Sequence, residues 1–95
     1  MAAWSLLTNH ALVLAHVSRL PESTGLEIAR AVGITERAAR RILADLQTAG
    51  YLESEKLGRR NRYRVNKRLP LRPMRHRELT VGRLLDIFQL QSADA

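Results

Sequence analysis

The stretch "GLEIARAVGITERAARRILADLQTAG", residues 25–50, decides the fold. It holds two runs of helical periodicity, residues 25–32 and 36–49, and Gly33 lies at their junction. Glycine accepts the positive φ that lets a chain leave a helix and turn at once. The stretch therefore predicts two helices joined by a very short turn.

Capping residues support the start of each helix. Thr24 followed by Glu27 fits a capping box, and Thr35 is placed to cap the second helix of the pair. Ala29 is small at the point where two closely joined helices cross. This combination is typical of a helix-turn-helix, and a generic two-helix corner is the alternative. The side chains expected to point into one shared core are Ile28, Val32, Ile34, Ala39, Ile42 and Leu46.

A further helix precedes this pair. Thr8 can cap the run "TNHALVLAHVSRL", and Pro21 ends it. Its apolar residues repeat at helical spacing and predict a buried stripe of Leu12, Val13, Val17 and Leu20.

A β-hairpin is predicted after the helices. "YLES", residues 51–54, and "NRYRVN", residues 61–66, flank a turn at Gly58. The second run alternates strictly, with apolar side chains on one face and arginines on the other. The expected fold class is α+β, mainly α: a winged helix-turn-helix with three core helices, a two-stranded β-wing and a C-terminal helix.

The residues from "GLEIARAV" to "GRRNRYRVN" resemble the DNA-binding core of small bacterial winged-helix regulators of the MarR and ArsR type. The resemblance covers residues 8–66 and implies that the third helix enters the major groove of double-stranded DNA. The positions that it implies for DNA contact by this helix, in the groove or, for Thr35, on a phosphate, are Thr35, Glu36, Arg37, Ala38, Arg40 and Arg41. An ordinary solvated helix surface is the alternative for Arg37 and Arg41. Those that it implies for the wing, on the DNA backbone or in the minor groove, are Arg59, Arg60, Asn61 and Arg62.

The C-terminal part is expected to be a basic, proline-containing linker, residues 67–79, and a helix, residues 80–91. Thr80 can cap that helix, whose apolar stripe is wider than packing on one surface requires. We expect it to form a homodimer; closure of the monomer's own core, or docking of a protein partner, is the alternative. The predicted interface residues are Trp4, Leu7, Val81, Leu84, Leu85 and Phe88.

Charge is concentrated in one segment. The chain has a net charge of +7, and residues 56–77 contain ten lysines or arginines and no acid. The parts before and after that segment are each slightly acidic. Such a block predicts a polyanionic partner, with a solubilising surface as the alternative.

Several classes of protein are poorly supported. The chain has no cysteine, and His10 and His16 are six residues apart on one helix, so we expect neither a metal site nor a cofactor. No spacing of catalytic residues indicates an enzyme. The longest apolar run near the N-terminus, residues 11–15, is too short to cross a membrane, so a cytoplasmic, nucleoid-associated protein is expected.

The sequence therefore predicts a dimeric, sequence-specific DNA-binding regulator of transcription that acts as a repressor. The alternatives are a winged-helix module that binds other proteins and a non-specific nucleic-acid or nucleoid-binding protein.

Overall fold

The computed structural model describes residues 7–71 and 80–93, and the side chains of the C-terminal helix as far as residue 87. Three helices are followed by a two-stranded antiparallel sheet and a fourth helix, which is a mixed, mainly helical α+β fold. The order of elements predicted from the sequence is confirmed. The elements are α1 (Asn9–Arg19), α2 (Gly25–Val32), α3 (Glu36–Thr48), β1 (Leu52–Leu57), β2 (Arg60–Val65) and α4 (Val81–Ala93).

Local hydrogen bonds at the helix starts follow the predicted caps. The hydroxyl of Thr8 accepts from a backbone N–H three residues on, and Thr35 does the same for α3. At α2 both halves of the capping box form: Thr24 N donates to Glu27 Oε1 at 2.7 Å, and Glu27 N donates to Thr24 Oγ1 at 3.2 Å. Gly33 ends α2 at φ +86°, a conformation that L side chains rarely adopt.

The core lies where α1, α2 and α3 meet. Ile28, Val13, Val17 and Ala39 are fully buried, and Ala29, the small residue predicted at the helix crossing, is 2% exposed. One predicted core residue is wrong, because Leu20 is 57% exposed. The reason is that α1 ends at residue 19, so Leu20 follows the helix and leaves the line of its apolar stripe.

The hairpin adds a third side to this core. Leu52 and Tyr63 are buried, and the turn contains Gly58 at φ +62°. Tyr63 N donates to the carbonyl of Pro21 at 2.8 Å, so the edge of β2 is bonded to the connection between α1 and α2. The hairpin is thereby held against the three helices by both apolar packing and a backbone hydrogen bond.

Helix α4 returns to the core from the far end of the chain. Val81 and Leu85 are 0% and 1% exposed, which leaves them no surface for a second copy. For these two residues the predicted dimer contact is corrected to core closure. The predicted linker is also ordered in part, since Leu69 packs against the core and its carbonyl accepts from Val81 N at 2.9 Å. Residues 72–79 lie outside the described residues.

Gly82 marks a close approach at the start of α4. Its N–H donates to the carbonyl of Lys67 at 2.9 Å. A Cβ added at Gly82 would lie 3.1 Å from that same carbonyl oxygen. The absence of a side chain therefore lets the helix begin directly against the chain that leaves the hairpin.

Candidate functional site

The exposed face of α3 carries its arginines on the side opposite the core. Ala39, Ile42, Leu43 and Leu46 are buried, and the helical repeat places Arg37 and Arg41 on the other side, where both are exposed. Neither forms an ion pair within the part of the chain that the structure describes. Their guanidinium groups are therefore available, one turn apart, for an external acceptor.

Arg40 is in a different state. Its Nη2 donates to Glu36 Oε2 at 2.8 Å, and its Nε donates to the same oxygen at 3.3 Å. This hydrogen bonding, followed by the charge of Glu36, raises the pKa of Arg40 above its usual value. The arginine also lies over the start of α2, where a Cβ added at Gly25 would be 3.4 Å from its Nε. Glu36 and Arg40, both predicted to contact DNA, are thus hydrogen-bonded to each other.

The two remaining predicted contact positions of α3 lie at its start. Thr35 is exposed, and its hydroxyl is used in capping, where it accepts from Ala38 N at 3.1 Å. Ala38 itself is half-buried. These positions border the Arg37–Arg41 surface.

The outer face of the hairpin is mixed in charge. The antiparallel register places Glu53 opposite Arg64 and Glu55 opposite Arg62. Arg64 Nη2 donates to Glu53 Oε2 at 2.6 Å, and this bond, together with the nearby negative charges, raises the pKa of Arg64. The sequence indicates that the arginines of β2 form one basic face and that Glu53 and Glu55 are solvated, and it does not indicate their pairing across the strands. The alternation of those acids, once the register is known, is the signal that pairs them.

Arg62 and the hairpin tip carry the positive charges that have no ion pair among the described residues of the hairpin. Arg59 is exposed in the turn beside Gly58 and forms no ion pair with any residue in the described ranges. Asn61 lies opposite Lys56, and both side chains are exposed. The tip therefore presents two cations and an amide to solvent.

Arg60, at the start of β2, reaches back to the helices. Its Nη1 donates to the backbone carbonyl of Glu22 at 2.8 Å and to Glu27 Oε1 at 3.2 Å. The hydrogen bonds of Glu27 with Thr24, in the capping box, are the main cause of the lowered pKa of that carboxyl, and Arg60 adds to it. The contribution of Glu22 and Glu27 was missed from the sequence, because 33 or more residues separate them from Arg60.

Two histidines join elements of the scaffold. His10 Nε2 lies 2.9 Å from Asp45 Oδ2, which links the start of α1 to α3. Ser23 Oγ donates to the carbonyl of Leu20, so it accepts from His16 Nε2 at 3.0 Å. Burial, followed by the charge of Arg19, lowers the pKa of His16. No group of three or more His, Cys, Asp or Glu side chains capable of holding a metal occurs among the described residues.

The predicted dimer residues other than Val81 and Leu85 are only partly within the described structure. Leu7 and Leu84 are half-buried. Trp4 and the side chain of Phe88 lie outside the described residues. Ile87, on the same helix, is 58% exposed. The dimer contact of these positions stays a prediction.

No protein-family model matches the chain, and no curated protein is significantly similar to it. Within residues 7–71 and 80–93, no helix combines the length and the apolar character needed to cross a membrane.

Proposed function

We propose that this chain is a winged helix-turn-helix protein that binds double-stranded DNA in a sequence-specific manner and regulates transcription. The observation that carries the proposal is the pair of exposed arginines, Arg37 and Arg41, on the face of α3 opposite the core, without an ion pair among the described residues. An acid lies one turn from Arg40 and neutralises it, whereas these two arginines form no ion pair with any residue in the described ranges.

An α-helix fits the major groove, where arginine donates two hydrogen bonds to O6 and N7 of guanine. Arg37 and Arg41 are separated by about 6 Å along the helix axis, compared with a rise of about 3.4 Å per base pair. The two side chains can therefore address base pairs that are close neighbours in one half-site. We expect a preferred sequence that contains guanine at these positions.

The hairpin supplies contacts of another kind. Arg59 at the tip, with Lys56 beside it, is suited to phosphate oxygens or a narrow minor groove. Such contacts fix the orientation of the protein on the duplex and carry little base information. The salt dependence of binding is expected to come largely from this part of the surface.

In this proposal the protein acts as a repressor on the chromosome, where a homodimer occludes a promoter. The need for a second half-site favours a dimer, because one small module alone gives limited specificity. The exposed Ile87 and half-buried Leu84 of α4 are candidates for that contact, together with Trp4, Leu7 and Phe88. The resemblance to MarR- and ArsR-type regulators supports the same reading.

A second candidate is a winged-helix module that binds another protein. The exposed Ile87 and the charge-matched outer face of the hairpin favour it. Such a module would be insensitive to changes at Arg37 and Arg41 and sensitive to a polar substitution at Ile87.

Selection of bound duplexes from a random DNA pool at near-physiological salt tests the proposal, because non-specific contacts are weakened there. An enriched inverted repeat, with half-sites about one helical turn apart, is the expected result. The variant Arg37→Ala/Arg41→Ala should lose the enrichment, while Arg83→Ala, at an exposed position of α4, removes a charge and should keep it. A pool without enrichment for the wild-type protein would contradict sequence-specific binding.

A further inference from the structure

We propose that Glu27 is a positioning residue for the nucleic-acid surface: it holds Arg60, and through Arg60 it sets the position of the hairpin tip relative to α3. This inference rests on the proposed function. It also reassigns Arg60, which the sequence places among the DNA-contacting residues, to an internal brace between the hairpin and the helix-turn-helix.

The contacts that define the brace converge on one guanidinium nitrogen. Arg60 Nη1 donates to the carbonyl of Glu22 at 2.8 Å and to Glu27 Oε1 at 3.2 Å. The same Glu27 oxygen accepts from Thr24 N at 2.7 Å in the capping box of α2. The hydrogen bond from Thr24 N therefore restricts rotation of the Glu27 carboxylate independently of Arg60. Arg60 thus donates to an acceptor whose position is already fixed.

The position of this contact in the fold allows it to influence where the hairpin tip lies relative to α3. Arg60 is the first residue of β2 and follows the tip residue Arg59 directly. Glu27 lies in the first turn of α2, which is joined to α3 through the tight corner at Gly33. The backbone hydrogen bond from Tyr63 N to Pro21 O fixes the hairpin farther along β2. The brace thus adds a second attachment, nearer the tip, between the two proposed DNA-contacting surfaces.

Exposed ion pairs contribute little to folding stability, and both side chains here are about half exposed. The predicted consequence is therefore in the geometry of binding rather than in the free energy of unfolding. The alternative role, a phosphate contact by Arg60, makes opposite predictions. A phosphate-contacting Arg60 would be freed by the loss of the Glu27 charge, whereas a bracing Arg60 would lose the charged one of its two acceptors and be held less firmly by the carbonyl of Glu22 alone.

Affinity for the selected duplex should be measured over a series of salt concentrations for wild type, Glu27→Gln, Arg60→Gln and the double variant. Glutamine is an accepted residue at this capping-box position and keeps an oxygen for Thr24 N, so Glu27→Gln preserves the cap while it removes the negative charge that holds Arg60. We expect each single variant to bind about three- to tenfold more weakly, and the double variant no more weakly than either, as in one coupled network. The salt slope should stay near that of the wild type.

Glu53→Gln is the matched control. It makes the same chemical change and also removes the negative charge beside a hairpin arginine, but that pair joins only β1 to β2. It should not weaken binding. Amide hydrogen exchange of residues 57–62 in the absence of DNA gives an independent readout, and it should accelerate in Glu27→Gln and Arg60→Gln but not in Glu53→Gln.

Tighter binding by Glu27→Gln, together with a salt slope about 0.9 smaller for Arg60→Gln, would overturn the brace and make Arg60 a phosphate contact. Unchanged hydrogen exchange at the tip would also overturn it. Failure of the wild-type protein to bind any duplex is distinguishable from both results. It would refute the proposed function, and the positioning role with it, whatever the exchange data show.

Discussion

The exposed face of α3 and the outer face of the hairpin are both rich in arginine, and they differ in what surrounds each arginine. On α3, Arg37 and Arg41 have no ion pair among the described residues. On the hairpin, Arg64 is bonded to Glu53, and Arg62 lies opposite Glu55. The difference arises because a neighbour on a helix comes from three or four residues along the chain, whereas a neighbour on a hairpin comes from the other strand.

This difference changes the meaning of the basic segment. Counted along the chain, residues 56–77 contain no acid and α3 has both signs of charge. In space, Glu53 neutralises Arg64 on the hairpin's outer face, whereas Arg37 and Arg41 on α3 have no such partner among the described residues. The specificity of the proposed DNA complex is therefore expected to depend on α3, and its electrostatics on the hairpin tip.

The largest effect is expected when both free arginines of α3 are removed. Arg37→Ala/Arg41→Ala eliminates two potential bidentate base contacts, each worth about 1–3 kcal/mol of discrimination. We expect the preference for the selected site over a scrambled duplex to fall to near unity in a competition assay followed by fluorescence anisotropy. Alanine preserves helix propensity, so the circular dichroism spectrum should not change. A variant that keeps its preference would remove α3 from the interface.

A smaller effect is expected from single substitutions of the hairpin arginines, and these substitutions should fall into two classes. Arg59→Ala removes an uncompensated charge at the tip and should reduce the slope of log affinity against log salt by about 0.9. Arg64→Ala removes a charge already bonded to Glu53 and should leave that slope nearly unchanged. Equal slopes for the two variants, measured in parallel titrations, would show that the pairing on the hairpin does not matter for binding.

A smaller effect of opposite sign is expected from Glu36→Gln. This change releases Arg40 from its bond at 2.8 Å and raises the net charge by one. Binding to specific and scrambled duplexes should strengthen together by a few-fold, and more so at low salt, because the added charge is not directed at a base. Strengthening limited to the specific site would instead mean that Arg40 reads sequence.

The smallest effect concerns the pH dependence of folding stability. His16 has a pKa lowered by burial, so the unfolded chain binds a proton more readily than the folded one. Stability contributed by neutral His16 is therefore complete above its ordinary pKa of 6.5 and is lost as the pH falls through the lowered value. Urea midpoints at pH 7.5 and 5.5 should differ more for wild type than for His16→Gln. Identical pH dependence in both proteins would contradict this assignment.

Local features of the fold were predictable from the sequence because they depend on neighbours along the chain. The caps at Thr8, Thr24 and Thr35 use hydrogen bonds across three residues, and the positive φ of Gly33 is a property of that residue in its turn. The buried positions of α2 and α3 follow the helical repeat. The predicted burial of Leu20 was wrong because the exact end of a helix is poorly determined by periodicity.

Features that join distant parts of the chain could not be predicted. The bond between Glu53 and Arg64 requires the strand register, and the one between Glu27 and Arg60 requires the hairpin to be docked on α2. The choice between core closure and a dimer contact for Val81 and Leu85 depends on where α4 packs, which an apolar stripe alone does not determine. Charge composition identified the basic segment, residues 56–77, but could not show which of its arginines form ion pairs.

The burial of Val81 and Leu85 has a consequence for synthesis on the ribosome. The helices and hairpin leave the ribosome first, but the core beside α1 stays open until α4 has followed. At about 5–20 residues per second, the twenty or so residues from the end of β2 to Leu85 take on the order of seconds to translate. During that interval the nascent chain exposes an apolar surface, and a slow codon in this region would prolong its exposure to aggregation and to chaperones.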